Sequence, residues 1–237
     1  MIFEENLQYK HKWQMLGDLP LESKIILKWI GEGKQVLEIG CHSGDFSEWI
    51  QKQNCEVTGI EINAKALQEA KPFLKESYCG DIEHEDFWLQ LRNKKFDVIM
   101  FEHVLEHLND PWKVLANSKK FLGKNGLLII ALPNISNADS RFNMFFGNFD
   151  YEETGVMDKT HLRFFNQKTT KEMILKAGYV IEEYESPWKV NPLREFIDHI
   201  PFLTYFRNIF SKSAPRLPKF SANLTDVVMM FKCRPND

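Results

Sequence analysis

Short runs of apolar residues recur along this chain and alternate with stretches whose apolar residues lie three or four positions apart. The runs are typical of buried strands, and the wider spacing is typical of amphipathic helices. Strands are predicted at 36–39, 56–61, around 78–79, 96–101, 127–132, 179–184 and 226–231. Helices between them are predicted at about 25–30, 64–73, 111–121 and 169–176. This alternation predicts a doubly wound α/β fold, a parallel sheet with right-handed crossovers.

The first strand ends in a turn that is typical of a ligand site. Gly40 follows the apolar run, Gly44 comes four residues later, and a helical pattern begins directly after it. Such a turn lets the backbone approach a ligand closely, because glycine carries no Cβ. A dinucleotide-binding fingerprint would place glycines where His42 and Asp45 stand, so a nicotinamide cofactor is disfavoured.

Asparagine, proline and glycine residues predict where other helices begin and end. Asn63 is expected to cap a helix, and Pro111 is expected to begin one. We expect that second helix to end at Gly123 and Gly126. Residues 134–165 lack clear periodicity and are predicted to form an irregular lid or loop.

Composition narrows the function classes. At 237 residues, with 43% apolar residues, the chain is expected to form a single domain with a full core. A net charge of −3 gives no general attraction for nucleic acid. The four cysteines lie far apart, which predicts neither a disulfide framework nor a zinc cluster. No signal peptide or membrane-spanning window is evident, so we expect a cytoplasmic protein.

Two acidic residues follow predicted strands at positions that suit a nucleotide. Glu61 ends the second strand, 21 residues after Gly40, where a carboxylate accepts hydrogen bonds from both hydroxyls of a ribose. Asp81 follows Gly80 after the third strand, which is also ordinary turn chemistry. Because Glu61 and Asp81 follow the glycine turn in this order, a nucleotide-binding role for Asp81 is favoured over an ordinary role in a turn.

Three motifs carry a resemblance to a known family. They are Glu38-x-Gly40-x-x-x-Gly44, the stretch from Phe96 to Pro111 that contains Leu105-Glu106-His107, and Asp158-Lys-Thr-His-Leu-Arg-Phe-Phe165. Together they resemble the class I S-adenosylmethionine (SAM) methyltransferases, in particular a bacterial branch related to the ubiquinone-pathway O-methyltransferases. The family usually has a third glycine where His42 stands. The resemblance implies a Rossmann-like sheet of seven strands, mostly parallel, with the last strand antiparallel.

The resemblance also implies the cofactor, SAM, its product S-adenosylhomocysteine, and the residues that bind them. The turn would shape the methionine and ribose end, Glu61 would hold the ribose, and Asp81 with Ile82 would hold the adenine. Phe101, Glu102 and His103 would lie beside the sulfonium and the acceptor. The full set predicted to bind the cofactor is Glu38, Gly40, Cys41, His42, Gly44, Glu61, Ile62, Asp81, Ile82, Phe101, Glu102 and His103. Cys41 is expected to be a small residue of the turn rather than a nucleophile.

A general base would accelerate methyl transfer to a hydroxyl, and two histidines are candidates for it. His103 and His161 are the predicted catalytic residues, because neutral imidazole accepts a proton near neutral pH. His161 is equally suited to a structural role that tethers the lid. His107 is expected to cap or pack the start of a helix. On a helix, His103, Glu106 and His107 would share one face, so a divalent metal is an alternative. No metal is predicted.

The motifs together predict methyl transfer from SAM to a small molecule, with a hydroxyl oxygen as the expected acceptor atom and a sugar or lipid-linked intermediate as the suggested substrate. The alternatives are a non-catalytic SAM-binding module and an NAD-dependent oxidoreductase. An amino-methyltransferase of nucleic acid would be expected to carry Asn-Pro-Pro-aromatic or Asp-Pro-Pro-aromatic after the fourth strand, where Phe101-Glu-His-Val stands.

The predicted domain covers residues 1–237, with an N-terminal helical segment at 1–33 and an insertion at 187–222. Apolar residues of the insertion recur at i, i+3, i+4 and i+7 from Leu193, the pattern of an amphipathic helix. Its aromatic and basic residues at 193–219 suit a membrane surface, an acceptor lid, a dimer contact or packing onto the sheet. Among the functional readings the lid is favoured. The protein is expected to be a monomer or homodimer.

Overall fold

A single sheet organises the computed structural model, which describes residues 19–192, 195–196 and 222–236. Within those residues the strands are β1 (Gln35–Ile39), β2 (Glu56–Glu61), β3 (Glu76–Cys79), β4 (Phe96–Glu102), β5 (Leu122–Pro133), β6 (Tyr179–Glu185) and β7 (Val228–Pro235). Their order is β3-β2-β1-β4-β5-β7-β6. Strand β7 runs antiparallel to both of its neighbours, and the other pairs are parallel. The predicted fold is therefore confirmed.

Helices connect the strands and cover both faces of the sheet. They are α1 (Leu21–Ile30), α2 (Asp45–Gln51), α3 (Ala64–Ala70), α4 (Pro111–Ser118), α5 (Ala138–Phe145), α6 (Gln167–Lys176) and α7 (Ala222–Thr225). The period of two along β1 sends Val36 to the face covered by α1 and Leu37 to the opposite core. Among the described residues, no helix has the length and apolar character that crossing a membrane requires.

Helix caps follow local side-chain chemistry. The Asn63 side chain accepts from the backbone N–H groups of Lys65 and Ala66, as predicted. Asp110, rather than His107, caps α4 by accepting from the backbone N–H of Lys113.

The predicted end of α4 at Gly123 and Gly126 is wrong, because both glycines lie in β5. The register of β5 against β4 shifts between Phe96, which pairs with Leu122, and Val98, which pairs with Leu127. A Cβ at Gly123 would lie 3.3 Å from the Phe96 carbonyl oxygen. Glycine here therefore allows two strands to approach each other and does not end a helix.

Two further boundaries differ from the prediction. Helix α5 lies inside the stretch predicted to be irregular; Asn137 caps it, but Phe145 and Met144 are exposed, so no apolar face was apparent. Strand β7 begins at Val228 instead of residue 226, because Asp226 forms an isolated bridge with Lys189. The amphipathic helix predicted from Leu193 falls outside the described residues, apart from 195 and 196.

Candidate active site

The turn after β1 is held so tightly that two of its positions need glycine. Gly40 has φ +76°, and a Cβ there would lie 2.5 Å from Cγ2 of Val104. Gly44 has φ +82°, and its Cβ would lie 2.8 Å from Cα of Ala70 in α3. His42, where the family usually has a third glycine, adopts φ +46°. The turn therefore lies at the crevice between β1 and β4, where the strand order reverses.

Glu61 at the end of β2 faces this turn. One carboxylate oxygen accepts from the backbone N–H of His42 at 3.0 Å, and the other accepts from that of Asn63 at 2.8 Å. A carboxylate oxygen has two lone pairs, so each retains one for a further donor. The carboxylate is thus oriented by the turn and suited to accept two ribose hydroxyls.

The residues predicted to hold the adenine lie along the same edge. Glu61 pairs with Cys79, which places the Gly80-Asp81-Ile82 turn beside the end of β2. The Asp81 carboxylate is partly exposed, and Ile62 is 49% exposed, so both are open to a ligand. Ile82 is buried, and its carbonyl accepts from the Trp88 indole at 2.9 Å.

Three predicted site residues direct their side chains into the protein. Cys41 is buried in a small apolar cluster with Leu67 and Ala70, and burial raises the pKa of its thiol above the usual range, which fits a structural role. Phe101 lies wholly within the core, so a ligand could meet its backbone but not its ring. Glu38 is buried and accepts from the Ser47 hydroxyl at 2.5 Å; burial raises its pKa to about 7.

His103 lies between two carboxylates. Its Nε2 is 3.0 Å from Oε1 of Glu22 in α1, and its Nδ1 is 3.2 Å from Oε1 of Glu106. Burial alone would lower the pKa of His103, but these carboxylates outweigh it and hold that pKa well above 6.5. A charged imidazole has no lone pair for a proton, so the geometry disfavours His103 as the base. Burial and then the Glu22 charge also raise the pKa of neighbouring Glu102 to about 8.

No pattern in the sequence indicates a functional role for Glu22. A carboxylate in the first turn of a helix is ordinary, because it interacts favourably with the positive end of the helix dipole. Only the packing of α1 against the end of β4 brings it to His103.

The pKa of His161 is shifted in the opposite direction to that of His103. Its side chain is 6% exposed, and burial lowers its pKa below 6.5. Its Nδ1 donates to the Val156 carbonyl at 3.2 Å, so Nε2 carries the lone pair. That Nε2 lies 3.9 Å from Oε1 of Glu106.

The motif at residues 158–165 docks onto the 3₁₀ turn Leu105–His107. The backbone N–H groups of Leu162 and Arg163 donate to the Glu106 carbonyl at 2.8 and 3.0 Å. The His107 Nδ1 lies 3.1 Å from the Thr160 hydroxyl, which donates to Asp158 at 2.6 Å. The rings of His107 and His161 meet edge to face at 4.8 Å.

Glu106, His107 and His161 form a group that could hold a divalent cation. One ligand atom from each lies within 4.8 Å of the others. Each imidazole has its Nδ1 directed at a backbone carbonyl, an orientation found in histidine metal ligands. Oε2 of Glu106 is buried with no hydrogen-bond partner. The set suggested by sequence, with His103 on a shared helix face, does not form, because His103 adopts φ +52° before the turn.

Comparison with known proteins decides the family. A family model described as "Methyltransferase domain" matches residues 12–184. The chain belongs to the methyltransferase-domain family. This methyltransferase domain is 34% identical over 115 residues to the ubiquinone biosynthesis O-methyltransferase of Pasteurella multocida, a match that covers 43% of this chain and 47% of that protein. The corresponding enzyme of Glaesserella parasuis is 36% identical over 109 residues, covering 43% and 46%. The match thus spans about half the length of these curated relatives.

Solved structures share the fold of this methyltransferase domain at low sequence identity. A SAM-dependent methyltransferase from Archaeoglobus fulgidus has a TM-score of 0.66 at 16% identity, covering 97% of this chain and 99% of that one. A TehB-like SAM-dependent methyltransferase from Corynebacterium glutamicum has a TM-score of 0.59 at 17% identity, covering 97% of both chains. The [4+2]-cyclase SpnF also matches, with a TM-score of 0.55 at 14% identity over 91% of this chain and 80% of that one. Family and fold imply SAM as the cofactor.

Proposed function

We propose that this protein transfers the methyl group of SAM to a hydroxyl oxygen of a small molecule and releases S-adenosylhomocysteine. The observation that supports this most is Glu61, whose carboxylate is fixed by the turn and keeps a free lone pair on each oxygen. Bound SAM would supply an electrophilic methyl group on a cationic sulfur. The protein has to bind the cofactor, orient the acceptor and exclude water.

The residues along the edge of the sheet fit SAM. Glu61 would accept from the ribose, Asp81 would accept from the adenine amine, and exposed Ile62 and buried Ile82 would pack near the rings. Gly40 and Gly44 would let the backbone approach the methionine end. Glu38 and Glu102 lie near the ends of β1 and β4, and a bound sulfonium and ammonium would lower their raised pKa values.

The group that we propose as the base is His161. Its Nε2 is unprotonated because Nδ1 donates to Val156, and Glu106 lies close enough to stabilise the imidazolium that forms. Its Nε2 would take the proton of the acceptor hydroxyl as the oxygen attacks. His103 would contribute charge and no proton transfer.

The proposal also names the chemical class of the methyl acceptor. The relatives named as O-methyltransferases support a hydroxyl acceptor. A sugar or lipid-linked intermediate is proposed as the substrate, with the 187–222 insertion shaping its pocket within a single domain.

A turnover assay tests this function. The protein is incubated with methyl-labelled SAM and one of three probes: catechol, a nucleotide-linked hexose, or a lipid-diphosphate-linked sugar. We expect a methylated product and an equal amount of S-adenosylhomocysteine from at least one probe. His161→Gln should lower turnover by about 10²–10⁴-fold, while the affinity for S-adenosylhomocysteine stays near that of the wild type.

Other outcomes separate the alternatives. Binding of SAM without methylation of any probe would favour a non-catalytic module. Loss of turnover in a chelator, restored by Mg²⁺ or Mn²⁺, would show that Glu106, His107 and His161 act through a cation and not through His161 as the base.

A further inference from the structure

His103 joins helix α1 to the centre of the candidate active site. Both of its ring nitrogens lie within 3.2 Å of a carboxylate oxygen, one on Glu22 and one on Glu106. A carboxylate oxygen accepts a hydrogen bond, so in this geometry each ring nitrogen acts as the donor. Both donors are therefore used within the protein, and His103 acts as a bridge between α1 and Glu106.

The His103 bridge contacts the carboxylate that lies beside the proposed base, His161. The Glu106 oxygen that accepts from His103 is also the one 3.9 Å from Nε2 of His161. The Glu106 side chain is 0% exposed, so its orientation depends on protein contacts. A rotation of this carboxylate would change the environment of His161.

The bridge is not needed to attach α1 to the sheet. Ile26, Leu27, Trp29 and Ile30 are buried in the core on that side. His103 also adopts φ +52°, a conformation that a residue with a Cβ rarely takes. A strained residue between strand β4 and the 3₁₀ turn Leu105–His107 indicates that its side-chain direction matters.

We propose that Glu22 is a positioning residue for methyl transfer: through His103, it fixes the Glu106 carboxylate beside His161. The proposal rests on the function proposed above, in which His161 is the base. Glu22 would not touch the acceptor or the cofactor. Its effect would pass through two hydrogen bonds.

Two variants of Glu22 separate positioning from packing. Glu22→Gln keeps an oxygen that can accept from His103, and Glu22→Met keeps the volume but has no such oxygen. Glu32→Gln, just beyond the end of α1 and exposed, is the matched control. Each full-length protein is labelled with ¹⁵N-histidine and saturated with S-adenosylhomocysteine, and the signals of His103 are assigned with His103→Gln.

We expect slowly exchanging protons on both ring nitrogens of His103 in the wild type, in Glu22→Gln and in Glu32→Gln. Glu22→Met should lose the Nε2 proton signal. Its turnover with the best acceptor probe should fall by about tenfold or more, with turnover of Glu22→Gln within about threefold of wild type and S-adenosylhomocysteine affinity unchanged.

Three results would overturn the proposal: unchanged His103 signals in Glu22→Met, lost signals with full turnover, or equal loss of turnover in the Gln and Met variants. If Glu22→Met does not fold, His103→Gln must reproduce the loss of turnover at unchanged cofactor affinity, or the proposal fails. The spectra need no acceptor. Failure of the bridge therefore shows in them, whereas failure of the proposed function shows as a wild type that methylates none of the probes.

Discussion

Burial and neighbouring charges give the individual acids and imidazoles at the crevice different protonation states. Burial raises the pKa of Glu38 to about 7 and, with Glu22 beside it, that of Glu102 to about 8. The pKa of His103 is raised by its carboxylate partners, whereas burial lowers the pKa of His161. A charged His103 and a neutral His161 thus coexist near neutral pH, which supports the proposal that His161 is the base.

Glu38 should make the stability of the ligand-free protein depend on pH. Its pKa is raised from 4.5 to about 7, so ionisation favours the unfolded chain. Stability contributed by the protonated form is full below about pH 4.5 and is lost as pH rises through about 7. The free energy of unfolding of Glu38→Gln, relative to that of the wild type, should therefore be about 2 kcal/mol higher at about pH 8 than at about pH 5. Urea unfolding at both values measures this, and an equal effect at both would contradict it.

Gly44 and Gly147 form a matched pair for testing the turn. Their φ angles are +82° and +84°, but a Cβ at Gly147 meets nothing within 4 Å, while one at Gly44 would lie 2.8 Å from Ala70. Gly147→Ala should lower the free energy of unfolding only by the backbone strain, about 1–2 kcal/mol. Gly44→Ala should lower the free energy of unfolding by at least about 1 kcal/mol more than Gly147→Ala does. Equal free energies of unfolding for the two variants would show that the close approach is unimportant.

At the scale of elements, the 158–165 motif acts as a clamp on Leu105–His107. It supplies two backbone donors to Glu106, a hydroxyl to His107, and Phe165 to the core. Sequence alone revealed the motif but not this docking, because the two segments lie about fifty residues apart and no periodic pattern links them.

Thr160→Val should weaken the clamp. It removes the hydroxyl that links His107 to Asp158 while keeping the shape of the side chain. We expect a loss of about 1–2 kcal/mol in the free energy of unfolding. Lys159→Ala, at the neighbouring position whose ion pair with Glu153 is exposed, should change it by less than about 0.5 kcal/mol. Similar losses in both variants would count against the clamp.

Local patterns predicted the elements whose signals are local. The core strands and the Asn63 cap follow from apolar runs and capping chemistry, and both were predicted. Helix α5 was missed because its aromatic residues are exposed, and the register shift of β5 was missed because a glycine pair also resembles a helix end. Glu22 was missed because its role depends on the packing of two elements distant in sequence.

At the scale of the whole molecule, the sheet order places the ends of β1, β2, β3 and β4 along one edge. The turn, Glu61 and Asp81 line that edge in the order in which a nucleoside would lie along it. The fold alone does not decide the reaction, since a cyclase and methyltransferases share it. The central claim is therefore that this edge binds a SAM-type nucleoside through Glu61.

Calorimetry with S-adenosylhomocysteine tests that claim most directly. The wild type should bind one molecule per chain and bind NAD more weakly. Glu61→Ala should weaken S-adenosylhomocysteine binding by about 1.5–3 kcal/mol, because two hydrogen bonds to a charged group are lost. Glu56→Ala, at the opposite end of the same strand, should bind like the wild type. Unchanged affinity in folded Glu61→Ala, or tighter binding of NAD than of S-adenosylhomocysteine by the wild type, would contradict the account.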